Sequence, residues 1–125
     1  MILVDTSVWV DHLRAADPRL THLLDQREVV MHPFVIGEIA CGSLAQRALV
    51  LDLLRGLPSA HVAEPDEVLD YIERARLHGK GIGYVDVHLL ASTALSPGDK
   101  LWTRDKRLLA AALDFGCAFS DSDTH

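Results

Sequence analysis

The sequence predicts an α/β fold, a three-layer α/β/α sandwich around a mainly parallel sheet of about four to five strands. Two observations carry that expectation. Short apolar runs alternate with longer stretches of helical periodicity along the whole chain. The runs are apolar throughout rather than alternating, as parallel strands buried on both faces require.

Taken in order, "ILV" at 2–4 is a strand and "TSVWVDHLR" at 6–14 a helix started by Thr6 or Ser7. Asp17 and Pro18 open a second helix over 17–27, with Asp at the N-cap and Pro in the first turn. "EVVMH" at 28–32 is a strand, and Pro33 starts a short apolar helix that Gly42 ends. A helix over 44–57 stops at Gly56 and Pro58, and "AHVAE" at 60–64 is a short strand. Pro65 initiates a helix over 65–81, in which Val68, Leu69, Ile72, Ala75 and Leu77 recur at helical spacing. Gly79, Gly81 and Gly83 punctuate a loop before a helix at 84–95. A turn at 96–99, a strand "KLWT" at 100–103, a helix at 105–116 and a strand "CAF" at 117–119 complete the pattern, with a frayed tail at 120–125.

At 125 residues, without repeat or linker, the chain is expected to form one domain over 1–125. Its 49% apolar and 24% charged residues fit a soluble globular protein. No window reaches the roughly 18 apolar residues of a membrane span, and "MILV" is too short for a signal peptide, so the expected address is cytoplasmic. Cys41 and Cys117 form no C-x-x-C pair and read as buried small hydrophobes. Seven histidines are scattered without metal-ligand spacing and read as polar surface. A formal net charge of −6 argues against a polyanionic partner unless some acids hold a divalent cation, which inverts the local sign.

Four acids stand apart. Right-handed crossovers bring the loops that follow strands to one sheet edge, where α/β proteins place their sites. Asp5 ends "MILVD" and Asp105 follows "LWTR", so both belong on that edge. Glu38 is the lone charge in "FVIGEIACG", and Asp86 the lone charge in "IGYVDVHLLASTAL". Asp5 and Asp105 also suit helix caps, and Asp86 suits a first helical turn. Glu38, set among apolar neighbours, is expected to be buried and to need a partner, because an unpaired buried carboxylate is costly. If the four converge, their repulsion raises pKa values, and an oxygen-preferring Mg²⁺ or Mn²⁺ ion relieves it. Such sites hydrolyse phosphodiesters.

With "VDTSVWVD", the Glu of "FVIGEIACG", "GYVDVHLLASTAL" and "LWTRDKRL" in that order, the whole chain resembles PIN domains, in particular VapC-type toxins of toxin-antitoxin pairs. The resemblance implies a Mg²⁺- or Mn²⁺-dependent endoribonuclease with Asp5, Glu38, Asp86 and Asp105 as metal-binding acids. Thr6 or Ser7 would steady Asp5 or a water, and Thr103 would position the site from the neighbouring strand. Activated water would attack phosphorus in line, leaving a 3′-hydroxyl and a 5′-phosphate. A homodimer and silencing by a cognate antitoxin are implied as well. The last motif departs from the family's common form: Arg107 and Leu108 follow where an Asp-Phe or similar pair often stands, leaving Asp105 the only acid there.

RNA binding needs cations outside the metal site, and Arg14, Lys80, Arg104, Lys106 and Arg107 are the candidates. Trp9, with Val8, Val10 and Leu13, is expected to contribute to an apolar groove for the antitoxin. Two other readings compete. A phosphoacceptor receiver domain requires adjacent acids after the first strand, where Thr6 and Ser7 stand instead. A catalytically silent PIN scaffold would have no need of four intact acids.

Overall fold

The computed structural model describes residues 1–120. The expectation of a frayed tail therefore lies almost wholly outside the described residues. Three parallel strands, β1 (Ile2–Val4), β2 (Val29–Val30) and β3 (Lys100–Trp102), form a sheet in the order β2-β1-β3. The two further strands expected from the sequence are single parallel bridges that extend it on either side, Met31 to Ser59 and Leu101 to Ala118. The first of these lies just before the apolar "AHVAE" run, because the bonds made by Met31 go to Pro58 and Ala60.

Among the described residues, seven helices surround the sheet: α1 (Thr6–Arg14), α2 (Pro18–Asp25), α3 (Pro33–Ala40), α4 (Arg47–Arg55), α5 (Pro65–Ala75), α6 (Tyr84–Ala94) and α7 (Lys106–Asp114). Asp17 caps α2 through its side chain, accepting from the Arg19 N–H at 2.9 Å, with Pro18 behind it. Two helices are shorter than their periodicity suggests. Arg76 turns into the left-handed region at φ 54° and ends α5 six residues early, letting the Leu77 N–H return to Ile72 and its side chain enter the core. Gln46, at φ 52°, delays the start of α4. His32 lies outside β2: it caps α3, its Nδ1 accepting from the Phe34 N–H at 3.0 Å.

The core lies on both sheet faces. Leu3, Val4, Leu101 and Trp102 from the strands pack with Val8, Leu20, Val35, Leu89, Leu90 and Leu108 from the helices, all 2% exposed or less. Nearly every residue of α6 from Val87 to Thr93 is buried, so α6 is a central helix and not an amphipathic surface one. Asp86 enters at its first turn and inherits that burial. β1, in the middle of the sheet, connects onward to β2 on one side while β3 pairs on its other side. The crevice at the carboxyl ends of β1 and β3 is thus the switch point where α/β sheets bind ligands.

Candidate active site

Asp5 follows β1 directly and is 4% exposed. Its Oδ1 accepts from the Thr6 N–H at 2.7 Å, and its Oδ2 accepts from Ser7 Oγ at 2.9 Å and from Thr103 Oγ1 at 2.7 Å. Asp5 is itself the N-cap of α1, so neither Thr6 nor Ser7 takes that position. Both oxygens carry defined donors, which fixes the plane of the carboxylate. The supporting hydroxyls are themselves held. Ser7 Oγ accepts from the Arg104 N–H at 3.0 Å, and Thr103 Oγ1 accepts from the Asp105 N–H at 3.1 Å. Asp105 caps α7, its Oδ1 accepting from the Leu108 N–H at 2.9 Å.

Helices supply the other two acids. Glu38 is exposed on α3, one turn beyond Phe34, and its Oε1 accepts from Thr6 Oγ1 at 2.7 Å. The expectation of a buried Glu38 fails because α3 buries Val35 and Ile39 and turns the intervening Glu38 outward. Thr6 accordingly steadies Glu38 by its hydroxyl and Asp5 by its backbone N–H. Asp86 is partly buried, and no hydrogen bond among the described residues reaches its side chain. Burial pushes its carboxyl up to about 6, and the neighbouring charges of Asp5, Asp105 and Glu38 add to the shift. Asp5, Asp105 and Glu38 thus lie near enough to Asp86 for their charges to act on it. The group takes donors from β1, β3, α3 and α6.

A PIN domain family model matches residues 2–113. The chain belongs to the PIN domain family. It is 55% identical over 121 residues to Ribonuclease VapC32 from two strains of Mycobacterium tuberculosis, covering 97% of this chain and 98% of the relative. Its fold is similar to a chain in the crystal structure of FitAcB from Neisseria gonorrhoeae, with a TM-score of 0.61, 24% sequence identity, and 90% and 93% of the two chains covered. Family membership removes the receiver-like reading.

PIN-domain ribonucleases generally depend on a divalent metal. The donor set of this PIN domain is all oxygen, which suits a hard divalent ion. Its acids do not converge on a point: among the described residues no three acidic, imidazole or thiol groups enclose an ion. Magnesium keeps several waters and takes only one or two carboxylates directly, which such a group can supply.

Around the site, the PIN domain revises several expectations. Arg104 is occupied away from the crevice: its guanidinium pairs with Asp11 at 2.5 Å and Asp17 at 2.7 Å and lies over the Trp102 ring. It ties α1 and α2 to β3 instead of offering charge to RNA. Arg107 donates from Nη1 to the Gly81 carbonyl at 3.3 Å. Arg14, Lys80 and Lys106 are exposed. Trp9 is only 2% exposed and forms the wall of an apolar groove of about 210 Å³ with Leu13, Leu24, Val50, Leu53 and Leu57. A second groove of about 350 Å³ begins at Glu38 and Arg14 and shares Leu13 and Val50 with the first.

Cys117 is buried as expected, but Cys41 is exposed at the end of α3. His22, His61 and His78 are surface residues, whereas His32 and His88 are buried. His125 lies outside the described residues. Burial, then the proximity of His88, pushes His32 down to about 4, so it is neutral when it caps α3. Its role in placing the helix of Glu38 went unrecognised in the sequence. The signal was there in His32-Pro33, a side-chain acceptor directly before a helix-starting proline.

Proposed function

We propose that this PIN domain is the toxin of a type II toxin-antitoxin pair, a Mg²⁺- or Mn²⁺-dependent endoribonuclease that hydrolyses RNA phosphodiester bonds. The observation that carries the reading is the placement of Asp86, half-buried and without a hydrogen bond from the described residues, near enough to Asp5, Asp105 and Glu38 for their charges to add to the effect of burial on its carboxyl. A crevice with that much unrelieved negative charge favours a divalent cation. Asp5, Glu38, Asp86 and Asp105 hold the ion. When bound, it neutralises charge on the scissile phosphate and acidifies water.

The chain's own groups do the placing. Thr103 and Ser7 hold Asp5 from two sides, and Thr6 holds Glu38. Asp105 is held through its Oδ1, which accepts from the Leu108 N–H in the α7 cap. Arg14, Lys80 and Lys106 contact RNA phosphates beyond the ion. The antitoxin fits the joined apolar grooves of α1 and α4, where Leu53 is 65% exposed. An amphipathic helix there, carrying an arginine toward Glu38, satisfies both the apolar wall and the acidic end. The toxin acts in the cytoplasm as a homodimer.

Cleavage of a mixed RNA pool in Mg²⁺ or Mn²⁺, wild type against Asp5→Asn, is the test. The wild type is expected to cut and Asp5→Asn to lose more than about 100-fold, beyond what outer support of a metal site contributes. Equal cutting by both proteins removes the metal-acid mechanism. A wild type inactive at every metal concentration identifies a silent scaffold.

A further inference from the structure

Arg107 reaches back from the start of α7 to the glycine loop that precedes α6. Its Nη1 donates to the Gly81 carbonyl, and its guanidinium occupies the space a Gly81 side chain would need. A Cβ built at Gly81 would stand 2.6 Å from Nη1, 3.0 Å from Cζ and 3.2 Å from Nε. Gly81 also has φ +74°, as has Gly79. The contact thus requires glycine at 81 twice over, once for backbone conformation and once for space. Arg107 lies two residues beyond Asp105, and Gly81 five before Asp86. One side chain therefore spans from the helix capped by Asp105 to the approach of the helix carrying Asp86.

That span matters because no side chain caps the entry to α6, where Ile82 packs on the core and Tyr84 on His88 but neither bonds the glycine backbone. Its N-cap, Gly83, has no side chain to bond the first turn. Three glycines in five residues give the approach a large conformational entropy to lose. A first turn that is uncapped and preceded by glycines depends on outside contacts for its place.

We propose that Arg107 is a positioning residue, whose guanidinium, laid on Gly81, fixes the glycine loop and with it the place of Asp86 in the acidic crevice. The proposal rests on the metal-dependent ribonuclease reading above. Its chemistry calls for arginine in particular: the planar fork covers the glycine Cα while one N–H reaches the carbonyl, and a lysine ammonium can do only the second.

Mn²⁺ binding to the full chain, followed by electron paramagnetic resonance, is measured beside steady-state RNA cleavage for wild type, Arg107→Ala, Arg107→Lys, Gly81→Ala and Asp86→Asn. Arg107→Ala is expected to weaken Mn²⁺ binding and lower kcat by about tenfold each, the scale of a misplaced reacting group, with KM within about twofold of wild type. Arg107→Lys is expected to fail to rescue. Gly81→Ala, which displaces the guanidinium, is expected to reproduce the loss, and the double variant Gly81→Ala/Arg107→Ala to add little to it. A raised KM with unchanged Mn²⁺ affinity overturns the proposal and makes Arg107 an RNA phosphate contact. Full rescue by lysine, or no effect at all, overturns it as well. If Asp86→Asn abolishes Mn²⁺ binding while Arg107→Ala leaves it intact, only the positioning role falls. If Asp86→Asn binds Mn²⁺ like wild type, the acidic-site reading falls and takes the positioning role with it.

Discussion

The two flanks of the crevice are built on opposite principles. On the strand flank, Asp5 is buried, accepts three hydrogen bonds, and is backed by Ser7 and Thr103, which are themselves held by backbone N–H groups. On the helix flank, Glu38 is exposed with one hydroxyl partner, and Asp86 is partly buried with no hydrogen bond from the described residues. Hydrogen bonds to a carboxylate stabilise its charged form, whereas burial beside other acids does the reverse. The strand flank is therefore organised before any ion arrives. On the helix flank Asp86 holds its charge against burial and its acidic neighbours, a strain that the proposed cation would relieve.

Thr103→Val tests the organised side and should have the largest effect of the changes that leave all four acids in place. Removing the 2.7 Å bond to Asp5 and leaving the Asp105 N–H short of an acceptor is expected to lower RNA cleavage by about 10–100-fold and stability by about 1–3 kcal/mol. Chemical denaturation and initial rates measure the two. An unchanged rate would place Asp5 outside the reaction.

Asp86→Asn tests the strained side in the opposite direction. A carboxyl whose folded pKa is raised from 3.8 to about 6 binds more protons folded than unfolded between those values. Stability of the metal-free protein therefore falls as pH rises through that window. Replacing Asp86 by neutral Asn should stabilise the metal-free protein by about 1 kcal/mol at pH 7.5, allowing for solvent screening, and by nothing below about pH 4. Melting curves across pH, with chelator present, read this, and a destabilised variant at pH 7.5 would refute the strain. Thr6→Val should have the smallest effect, about 0.5 kcal/mol or less in stability and below about tenfold in rate, because Glu38 is solvated without it.

Much of this arrangement was legible along the chain. Asp5 and Asp105 could be placed because each follows an apolar strand, and strand ends share an edge in a parallel sheet. Glu38 was found for a reason that fails, since a charge between apolar residues on a helix can as well face outward. Arg104 could not be interpreted locally. Its partners Asp11 and Asp17 lie nearly ninety residues away or more, and only the fold brings them within 3 Å. The ends of α5 and α4 were hidden for a different cause: Arg76 and Gln46 adopt the left-handed conformation without being glycine. His88 and His32 went below the surface because α6 is buried nearly all round and α3 starts against it.

The outermost segments of the sheet, at Ser59 and Ala118, each pair through a single bridge. A longer strand in either place would present a row of open N–H and carbonyl groups, the template on which chains join edge to edge. Here the sheet tapers to one residue on each side, and the chain leaves at once into a loop or a turn. Among the described residues both sheet margins are thus short, which makes the helices and their apolar grooves the broader surfaces for meeting other chains.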